Sequence, residues 1–475
     1  MKKRTYILKS IAEKQYRRNL KSKYKRKRKN VVRNKLFHIY HDQSLQKSPL
    51  VRHFNKDAEP KDLFSKYISD NMKYLLYTSS SIFHIDKIKE VAETSNGICL
   101  VPKHFSIVDK PAESYRLIQE VLGVILTREI CVVEIDYSIC AKADVGAQVL
   151  LDIILKDVFR FLDVCRKFPS IAPAVKEVRG VNIDNKNVEK LLFSIGSFAI
   201  HSNNTIDYPD VIPYKLCTHK RDAFGDPDEI TRQKDIDTTE LVDYVVESLK
   251  RIGKELTPEK IDELCIVIGE MLINAEEHST TNYRYSIGYF QEINEEGKHY
   301  GIFRLVIMNF GKTIYEKFKL DDCPNKNIIS NMESLSEIYT KKRLILPKYF
   351  EEETLWTLYS LQEGVSTVPL AEFPKRGNGS IRFIDNFFNL RGLDVDGISQ
   401  MTILSGNTNI TFDGEYSIIN KKDKSGEKFS YMTFNESGKI EDMPDKKYVK
   451  YVENYFPGTI ISTRILFNEE DLKNA

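Results

Sequence analysis

Residues 269–279 read Gly-Glu-Met-Leu-Ile-Asn-Ala-Glu-Glu-His-Ser and set a carboxylate, an amide and an imidazole four positions apart. On a helix of 3.6 residues per turn, Glu270, Asn274 and His278 lie one above the other. Apolar residues recur every three or four positions and form a second stripe, namely Leu264, Val267, Ile268, Met271 and Ala275. A carboxylate can orient water, and an amide oxygen can join a magnesium shell. An ordinary amphipathic helix with one polar side has the same pattern.

Three later segments suit a site built around that helix. Residues Gly301–Asn309 are apolar and β-branched, which predicts a buried strand that runs into the turn Phe310-Gly311-Lys312-Thr313-Ile314. The glycine pair in Lys375-Arg376-Gly377-Asn378-Gly379 precedes a predicted helix, Ser380–Leu390, whose first N–H groups are free to bind an anion. Gly458-Thr459 begins another predicted strand, Ile460–Phe467.

The order of these segments resembles the GHKL ATPase superfamily, which includes DNA gyrase, MutL, heat-shock chaperone ATPases, histidine kinases and anti-sigma-factor kinases. The resemblance extends from about Thr239 to Phe467. Its four boxes are Glu270-x-x-x-Asn274-Ala275-x-x-His278, Asn309-x-Gly311-x-Thr313-Ile314, Arg376-Gly377-x-Gly379 and Gly458-Thr459. It implies a C-terminal two-layer α/β sandwich with ATP and Mg as cofactors, and it places the chain in the α/β (α+β) class.

The resemblance assigns the chemistry to two residues of the helix. Glu270 would be catalytic and would polarise the attacking water, and Asn274 would ligate the Mg that bridges the phosphates. Asn309 stands where the family usually has Asp, and would accept a hydrogen bond from the adenine amino group as a neutral acceptor. Such a change is expected to loosen nucleotide selectivity. Gly311 would let the backbone approach the base, and Thr459 would support the adenine contact.

The remaining nucleotide-binding residues belong to the glycine boxes. Gly377 and Gly379 would bring backbone amides to the phosphates, while Lys375 or Arg376 adds positive charge. Thr313 replaces the second glycine of its box, so that turn must be less extreme. Because phosphoryl transfer depends mainly on positioning and charge, these departures would affect hydrolysis more than binding.

The segment between the second and third boxes, residues 312–375, is too long for an ordinary connection. It contains Trp356, the only tryptophan, and the predicted helices Ser334–Arg343 and Glu351–Leu361. The family resemblance implies an ATP lid with inserted helices. An extra packing module is an equally suitable interpretation.

Length, charge and cysteine content restrict the class of protein. A chain of 475 residues predicts two or three domains. No apolar run approaches the length of a membrane span, and none suits a signal core. The seven cysteines include no Cys-x-x-Cys pair, which argues against a zinc site and favours free thiols. We therefore expect a cytoplasmic protein without a membrane span.

Residues 1–35 form a basic tail of sixteen Lys or Arg with one acid, Glu13. The tail's balance of +15 leaves −12 for the rest of a chain whose net charge is +3. Such a tail can bind nucleic acid or anionic lipid, or it can dock on an acidic protein surface. We expect residues 36–90 to be a helical linker.

Residues 91–220 alternate strand and helix patterns, which predicts a mostly parallel sheet. The predicted strands are Ile98–Val101, Ile130–Asp136, Val178–Ile183 and Phe198–His201, and the predicted helices are Ala112–Val121, Asp144–Leu162 and Asn187–Ser194. The stretch from Asp136-Tyr137-Ser138 to Asp144-Val145-Gly146-Ala147 resembles a STAS domain, the anti-sigma-factor-antagonist fold. In that family a serine of this loop is often phosphorylated, but Gly146 stands here. A small α/β packing domain is the alternative to a regulatory STAS-like domain.

The residues 209–237 are polar and turn-rich, and predict a boundary before a GHKL ATPase domain at 221–475. The function that the resemblance implies is an Mg-ATP-binding ATPase, an ATP hydrolase used as a nucleotide-driven switch in bacterial regulation or defence. One alternative is a serine/threonine protein kinase of the anti-sigma type. Another is a non-catalytic protein that senses nucleotide or binds nucleic acid through residues 1–35. A protein partner and a homodimer are expected by analogy.

Overall fold

A computed structural model of the chain describes residues 68–167, 173–200, 206–221, 227–277, 279–295, 298–341, 349–367, 379–391, 397–422 and 428–468. The described chain is a mixed α/β protein with one antiparallel and one parallel main sheet. The basic tail and most of the expected linker lie outside the described residues. All seven cysteines are described, and all are free thiols.

The larger sheet has five antiparallel strands in the order β6-β7-β8-β12-β9. Their bounds are β6 Val211–Lys220, β7 Tyr283–Glu295, β8 Lys298–Phe310, β9 Gln400–Phe412 and β12 Val449–Asn468. β7 and β8 form a hairpin whose register runs from Arg284 opposite Asn309 to Glu295 opposite Lys298. The strands predicted at Gly301–Asn309 and Ile460–Phe467 are therefore confirmed, as parts of β8 and β12.

One face of this sheet is covered by helices from the C-terminal half. They are α6 Pro227–Arg251, α7 Pro258–Glu277, α8 Ile314–Phe318, α9 Lys326–Thr340, α10 Glu352–Ser360 and α11 Gly379–Arg391. A two-stranded hairpin, β10 Ile419–Lys422 with β11 Lys428–Tyr431, lies beside them. α7 begins at a proline, which suits the first turn of a helix. Its predicted stripe is buried at Leu264, Val267, Ile268 and Met271.

The N-terminal part is a separate arrangement of parallel strands and helices. β1 Ile98–Leu100, β3 Val132–Asp136 and β5 Glu177–Val181 form a parallel sheet in the order β1-β3-β5, and β2 His104–Phe105 pairs with β4 Lys142–Ala143. Its helices are α1 Asp70–Tyr77, α2 Ile85–Ala92, α3 Pro111–Thr127, α4 Val145–Cys165 and α5 Lys186–Ile195. The parallel sheet expected from the alternating pattern is confirmed.

Two expectations for the N-terminal part fail. Phe198–Ile200 is a short 3₁₀ helix rather than a strand, and His201 lies outside the described residues. An apolar tripeptide carries too little periodicity to separate these states. The described end of the expected linker is helical, but α1 and α2 bury Met72, Leu76 and Ile88 in the main N-terminal core.

The N-terminal unit packs on the second face of the larger sheet through α4 and α5. One continuous apolar core joins α4 to the side chains of Tyr285, Val306 and Ile460. A Cβ on Gly146 of α4 would lie 3.5 Å from Ile460 Cδ1 on β12, in ordinary van der Waals contact. The helices of the C-terminal half form a separate core on the other face.

Most of the described part of residues 209–237, where a turn-rich boundary is expected, is strand or helix. Val211–Lys220 is the edge strand β6, and α6 begins at Pro227. Pro213 is tolerated there because an edge strand has one side without ladder hydrogen bonds. The larger sheet thus begins ten residues before the boundary predicted at 221.

The described part of residues 312–375 packs into the core. α9 and α10 correspond to the two predicted helices, and α10 buries six consecutive residues from Thr354 to Tyr359. Trp356 is fully buried, and its Nε1 donates to Ser336 Oγ at 3.1 Å. Burial of this kind favours the packing module over the lid for residues 349–367. The rest of the expected lid, residues 342–348 and 368–375, lies outside the described residues.

Among the described helices, none combines the length and the apolar content that crossing a bilayer requires.

Candidate functional site

Helix α7 presents Glu270 and Asn274 to a cavity on the helical face of the sheet. Since the two residues are four apart, their side chains lie on one side of the helix, next to the buried stripe. The side chain of Glu270 is 31% exposed. His278, the third residue of the predicted row, lies outside the described residues.

Asn309 is the residue before the last in strand β8, and two hydrogen bonds fix the orientation of its side-chain amide. Its Nδ2 donates to the backbone oxygen of Ala275 at 2.5 Å, and its Oδ1 accepts from the backbone N–H of Thr459 at 3.2 Å. Ala275 lies in the last turn of α7, where carbonyls lack helical partners. The backbone N–H of Ser279, four residues later, donates to the carbonyl of Glu276 and not to that of Ala275. Asn309 is only 2% exposed and joins α7, β8 and β12.

Strand β12 brings Thr459 to the same cavity through an irregular stretch. Its pairing with β9 shifts register between Tyr451 and Thr459. Gly458 has φ 151° there, and a Cβ would lie 2.1 Å from the backbone oxygen of Asn309, so only glycine fits. The Thr459 hydroxyl lies 2.9 Å from Ser405 Oγ, which accepts from the backbone N–H of Ile314 at 3.0 Å. The hydroxyls therefore link β12, β9 and α8.

Helix α11 begins directly against α7. A Cβ on Gly379, its first residue, would lie 2.8 Å from Asn274 Nδ2 and 3.3 Å from Glu270 Oε2. One turn later, Arg382 Nη1 lies 3.7 Å from Glu270 Oε1. Glu270 Oε2 is buried without a hydrogen-bond partner among the described residues. The first turn of α11 thus faces an acid and an amide, with one carboxylate oxygen left for a ligand or a water.

The cavity between these elements has a volume of about 250 Å³. Its wall is mainly apolar, and polar groups gather where α7, β8, β12 and α11 meet. The apolar lining includes Met271, Ile307, Ile314, Phe318, Phe383, Ile403 and Ile461. An apolar cleft with a few convergent polar groups is the usual form of a small-molecule site.

Five of the predicted site residues line this one cavity: Glu270, Asn274, Asn309, Gly379 and Thr459.

Two others do not line it. Gly311 turns the chain against Thr280, and its N–H donates to the backbone oxygen of Pro457 at 3.2 Å. Thr313 is fully buried and caps α8 in a reciprocal capping box with Glu316. Lys375, Arg376 and Gly377 lie outside the described residues.

Sequence reasoning missed several lining or neighbouring residues. Arg382 and Phe383 were readable in principle, because they follow Gly379 within one turn of the predicted helix. Phe318 and residues 360–361 and 365–367 carry no motif, and they reach the cavity only because the inserted helices pack beside it. The capping box of Thr313 and Glu316 was visible as Thr-x-x-Glu.

A buried charged network holds the C-terminal end of α7 against α6 and β7. His219 lies between Asp237 and Glu276, at 3.5 Å and 3.4 Å, and Arg284 pairs with Asp237 at 2.6 Å. Lys234 lies 3.5 Å from Glu276. Burial lowers the pKa of His219, and the Arg284 charge acts in the same direction. This shift favours the uncharged imidazole.

No three His, Cys, Asp or Glu side chains in the described part of the chain are grouped as a metal set. Mg²⁺ typically binds one or two protein oxygens together with substrate phosphates, so Asn274 and Glu270 still suit it. The partnerless Oε2 of Glu270 and the space left by Gly379 fit such a group.

Comparisons of the chain with protein-family models, with curated proteins and with solved structures found no match.

Proposed function

We propose that the cavity binds ATP with Mg²⁺ and that the protein is a GHKL-type ATPase acting as a nucleotide-driven switch. One observation carries the proposal. Residues predicted from four separate boxes of the sequence, from Glu270 to Thr459, line a single cavity. Independent segments would not be expected to converge on one cleft if each box were a chance match.

The apolar end of the cavity suits the base. Ile307, Ile403 and Ile461 offer flat apolar surface, and Asn309 and Thr459 stand beside them. Asn309 Oδ1 already accepts one hydrogen bond, from Thr459, and keeps a second lone pair for the adenine amino group. Its fixed orientation would make that acceptor preorganised, which limits the entropy lost on binding.

The end at α11 suits the phosphates. The first turn of a helix offers free N–H groups and a partial positive charge, and Gly379 leaves the first position of this turn without a side chain. Asn274 would add an oxygen ligand for Mg²⁺, which when bound neutralises phosphate charge. Arg382 contacts Glu270 only weakly, since an exposed pair at 3.7 Å contributes little. It is therefore free to move to a phosphate.

Glu270 is the residue we assign to hydrolysis. Its Oε2 lacks a partner among the described residues and lies 3.3 Å from the position of a Cβ on Gly379. In this role the carboxylate would accept a proton from, or orient, a water held beside α11. Replacing it with glutamine should keep the shape and remove the base.

The switch would act through the sheet. The proposed nucleotide site lies on the helical face, and the N-terminal unit, which we propose to be STAS-like, packs on the opposite face. Strands β8 and β12 contribute to both faces. A nucleotide that orders Asn309 and Thr459 would therefore alter the packing of α4 on the sheet, through Val306 and Ile460. A protein partner that reads this change completes the proposal.

Calorimetric titration of ATP with and without Mg²⁺ tests the binding. We expect one site in the wild-type protein. In Asn274→Ala the Mg²⁺-dependent affinity for ATP should fall about tenfold, because one charge-assisted contact is lost. Asn386→Ala is the matched control, because Asn386 lies on α11 outside the cavity and donates to the backbone oxygen of Arg382. Absence of ATP binding by the folded wild-type protein would contradict the proposal.

Phosphate release tests the chemistry separately. We expect Glu270→Gln to bind ATP as the wild type does and to release phosphate much more slowly, whereas Glu263→Gln, at an exposed position of α7 paired with Lys260, should behave as wild type. Equal release from wild type and Glu270→Gln would remove Glu270 from the mechanism. Transfer of label to a partner protein would point to the kinase alternative.

A further inference from the structure

A second cavity, of about 470 Å³, lies on the other face of the larger sheet. Its walls come from β7, β8, β9 and β12 on one side and from the N-terminal unit on the other. Its volume falls in the range of roughly 300–1,000 Å³ that is typical of small-molecule sites. The sheet separates it from the cavity that contains Glu270.

Two arginines stand side by side on the floor of this second cavity. Arg304 on β8 is directly opposite Arg464 on β12 in the strand register. Their outer neighbours in the same row are Tyr289 on β7 and Gln400 on β9, both uncharged. Like charges directly opposite each other destabilise a sheet. Two adjacent cations in a row without an acid therefore require an explanation other than the stability of the sheet.

Arg304 forms no ion pair with a carboxylate among the described residues. Its Nη1 is buried without a hydrogen bond, and its guanidinium contacts only the ring of Tyr289, at 5.5 Å. Burial lowers the pKa of Arg304, and the Arg464 charge acts in the same direction. The guanidinium of Arg464 does have a hydrogen-bond partner, because its Nε donates to the backbone oxygen of Ile398 at 2.8 Å.

The carboxylates on the cavity wall have partners other than the two arginines. Three of them form the pairs Lys142–Asp109 at 3.7 Å, Lys190–Asp210 at 2.5 Å and His299–Glu292 at 2.9 Å. The fourth, Asp144, accepts from the backbone N–H of Ala147 at 2.6 Å and caps α4. The Asp144 charge acts to raise the pKa of Arg304, but no carboxylate among the described residues forms an ion pair with either arginine.

Further groups around the cavity favour an anion. The N-terminus of α5 reaches it at Asn187, and a helix N-terminus carries a partial positive charge. Tyr289 also lines it. That side chain is 2% exposed, and its hydroxyl has no hydrogen-bond partner in the described part of the chain.

We propose that this cavity binds a small phosphate-bearing molecule, with the phosphate between Arg304 and Arg464. A planar guanidinium matches phosphate oxygens with two parallel hydrogen bonds, and a pair of them supplies the charge that a dianion needs. The bound anion would also remove the repulsion between the arginines. This site is independent of the nucleotide proposal.

Calorimetry and thermal melting with inorganic phosphate and with ribose 5-phosphate test the site, against chloride at equal ionic strength. We expect both phosphates to bind and to raise the melting temperature of the wild-type protein. Arg304→Gln and Arg464→Gln should each weaken binding by about tenfold or more. Arg160→Gln is the matched control, because Arg160 is mostly exposed on α4, 3.8 Å from Asp157, and neither residue lines the cavity.

Asn274→Ala should leave phosphate binding unchanged, which separates this site from the proposed ATP site. Equal affinity for the two ligands would identify free phosphate as the ligand, and tighter binding of ribose 5-phosphate would identify a phosphorylated metabolite. The proposal is overturned if neither phosphate acts more strongly than chloride, or if both arginine variants respond as wild type. Should Arg304→Gln fail to fold, Arg464→Gln carries the same prediction alone.

Discussion

Replacing Asn309 with aspartate should destabilise the protein at neutral pH, although aspartate is the residue that the family resemblance leads one to expect. The amide is needed because its Nδ2 donates to the Ala275 carbonyl at 2.5 Å while its Oδ1 accepts from the Thr459 N–H. If the amide were rotated by 180°, its Nδ2 would face the Thr459 N–H and its Oδ1 would face the Ala275 carbonyl, and neither hydrogen bond could form. A carboxylate could keep the contact with Thr459 but would face the Ala275 oxygen without a proton.

The size of the effect follows from the two buried groups. The lost hydrogen bond contributes about 1 kcal/mol net, and a buried carbonyl left without a donor costs about 1–3 kcal/mol. We therefore expect Asn309→Asp to lower the free energy of unfolding by about 2–4 kcal/mol at pH 7. Asn386→Asp, outside the cavity on α11, should change it by less than about 0.5 kcal/mol.

The loss should depend on pH in a defined direction. Once protonated, the new carboxyl can donate to Ala275, so its pKa in the folded state lies above the ordinary value of about 3.9. The destabilisation should thus be small below about pH 4 and grow as the pH rises through the folded-state pKa. Urea unfolding at pH 4 and pH 7, each against wild type, measures it. No loss at pH 7, or an equal loss at both pH values, would refute the reasoning.

Three further experiments test other parts of the structure. Burial lowers the pKa of His219, so wild-type stability should fall as the pH drops below about 6.5, and His219→Gln should flatten that dependence in urea unfolding; an unchanged slope would exclude this group as its source. Gly379→Ala, whose Cβ would lie 2.8 Å from Asn274 Nδ2, should weaken ATP binding measured by calorimetry. In the control Gly269→Ala the nearest atom to the new Cβ is 3.7 Å away, so ATP binding should be unchanged and the stability should rise by about 0.5–1 kcal/mol. Equal ATP affinity in both variants would count against contact with Asn274. The fluorescence of Trp356, the only tryptophan, should show a fully buried indole with and without ATP; exposure on removal of nucleotide would mean that α10 belongs to a moving lid.

The elements around the candidate site were predictable because each carries a strong local pattern. The three-and-four spacing from Leu264 to Met271 predicts α7, and the apolar run ending at Asn309 predicts β8. Gly379 marks the start of α11, as the glycine pair suggested. Such patterns depend on neighbours within one or two turns, which the sequence displays directly.

Tertiary partners were not predictable in the same way. Apolar stripes show that a helix is buried but not against what, so the docking of α4 on the second face of the sheet had no sequence signal. The burial of α10 around Trp356 is a similar case. Strand β6 was missed because its residues alternate weakly and include Pro213, which a central strand would exclude.

Asn309 illustrates a different limit. The sequence identifies it as a departure from an expected aspartate, but the reason lies in the Ala275 carbonyl, which approaches only in the folded protein. Arg304 and Arg464 are 160 positions apart and become neighbours only through the pairing of β8 with β12. Pairwise contacts of this kind arise from strand register, which one sequence does not display.

A crystal structure of the protein with a non-hydrolysable ATP analogue and Mg²⁺ tests the central claim most directly. We predict the base between the isoleucines of the cavity and Asn309, and the phosphates at the first turn of α11 beside Asn274. An analogue bound elsewhere, or the same cavity left without ligand at saturating concentration, would contradict the account.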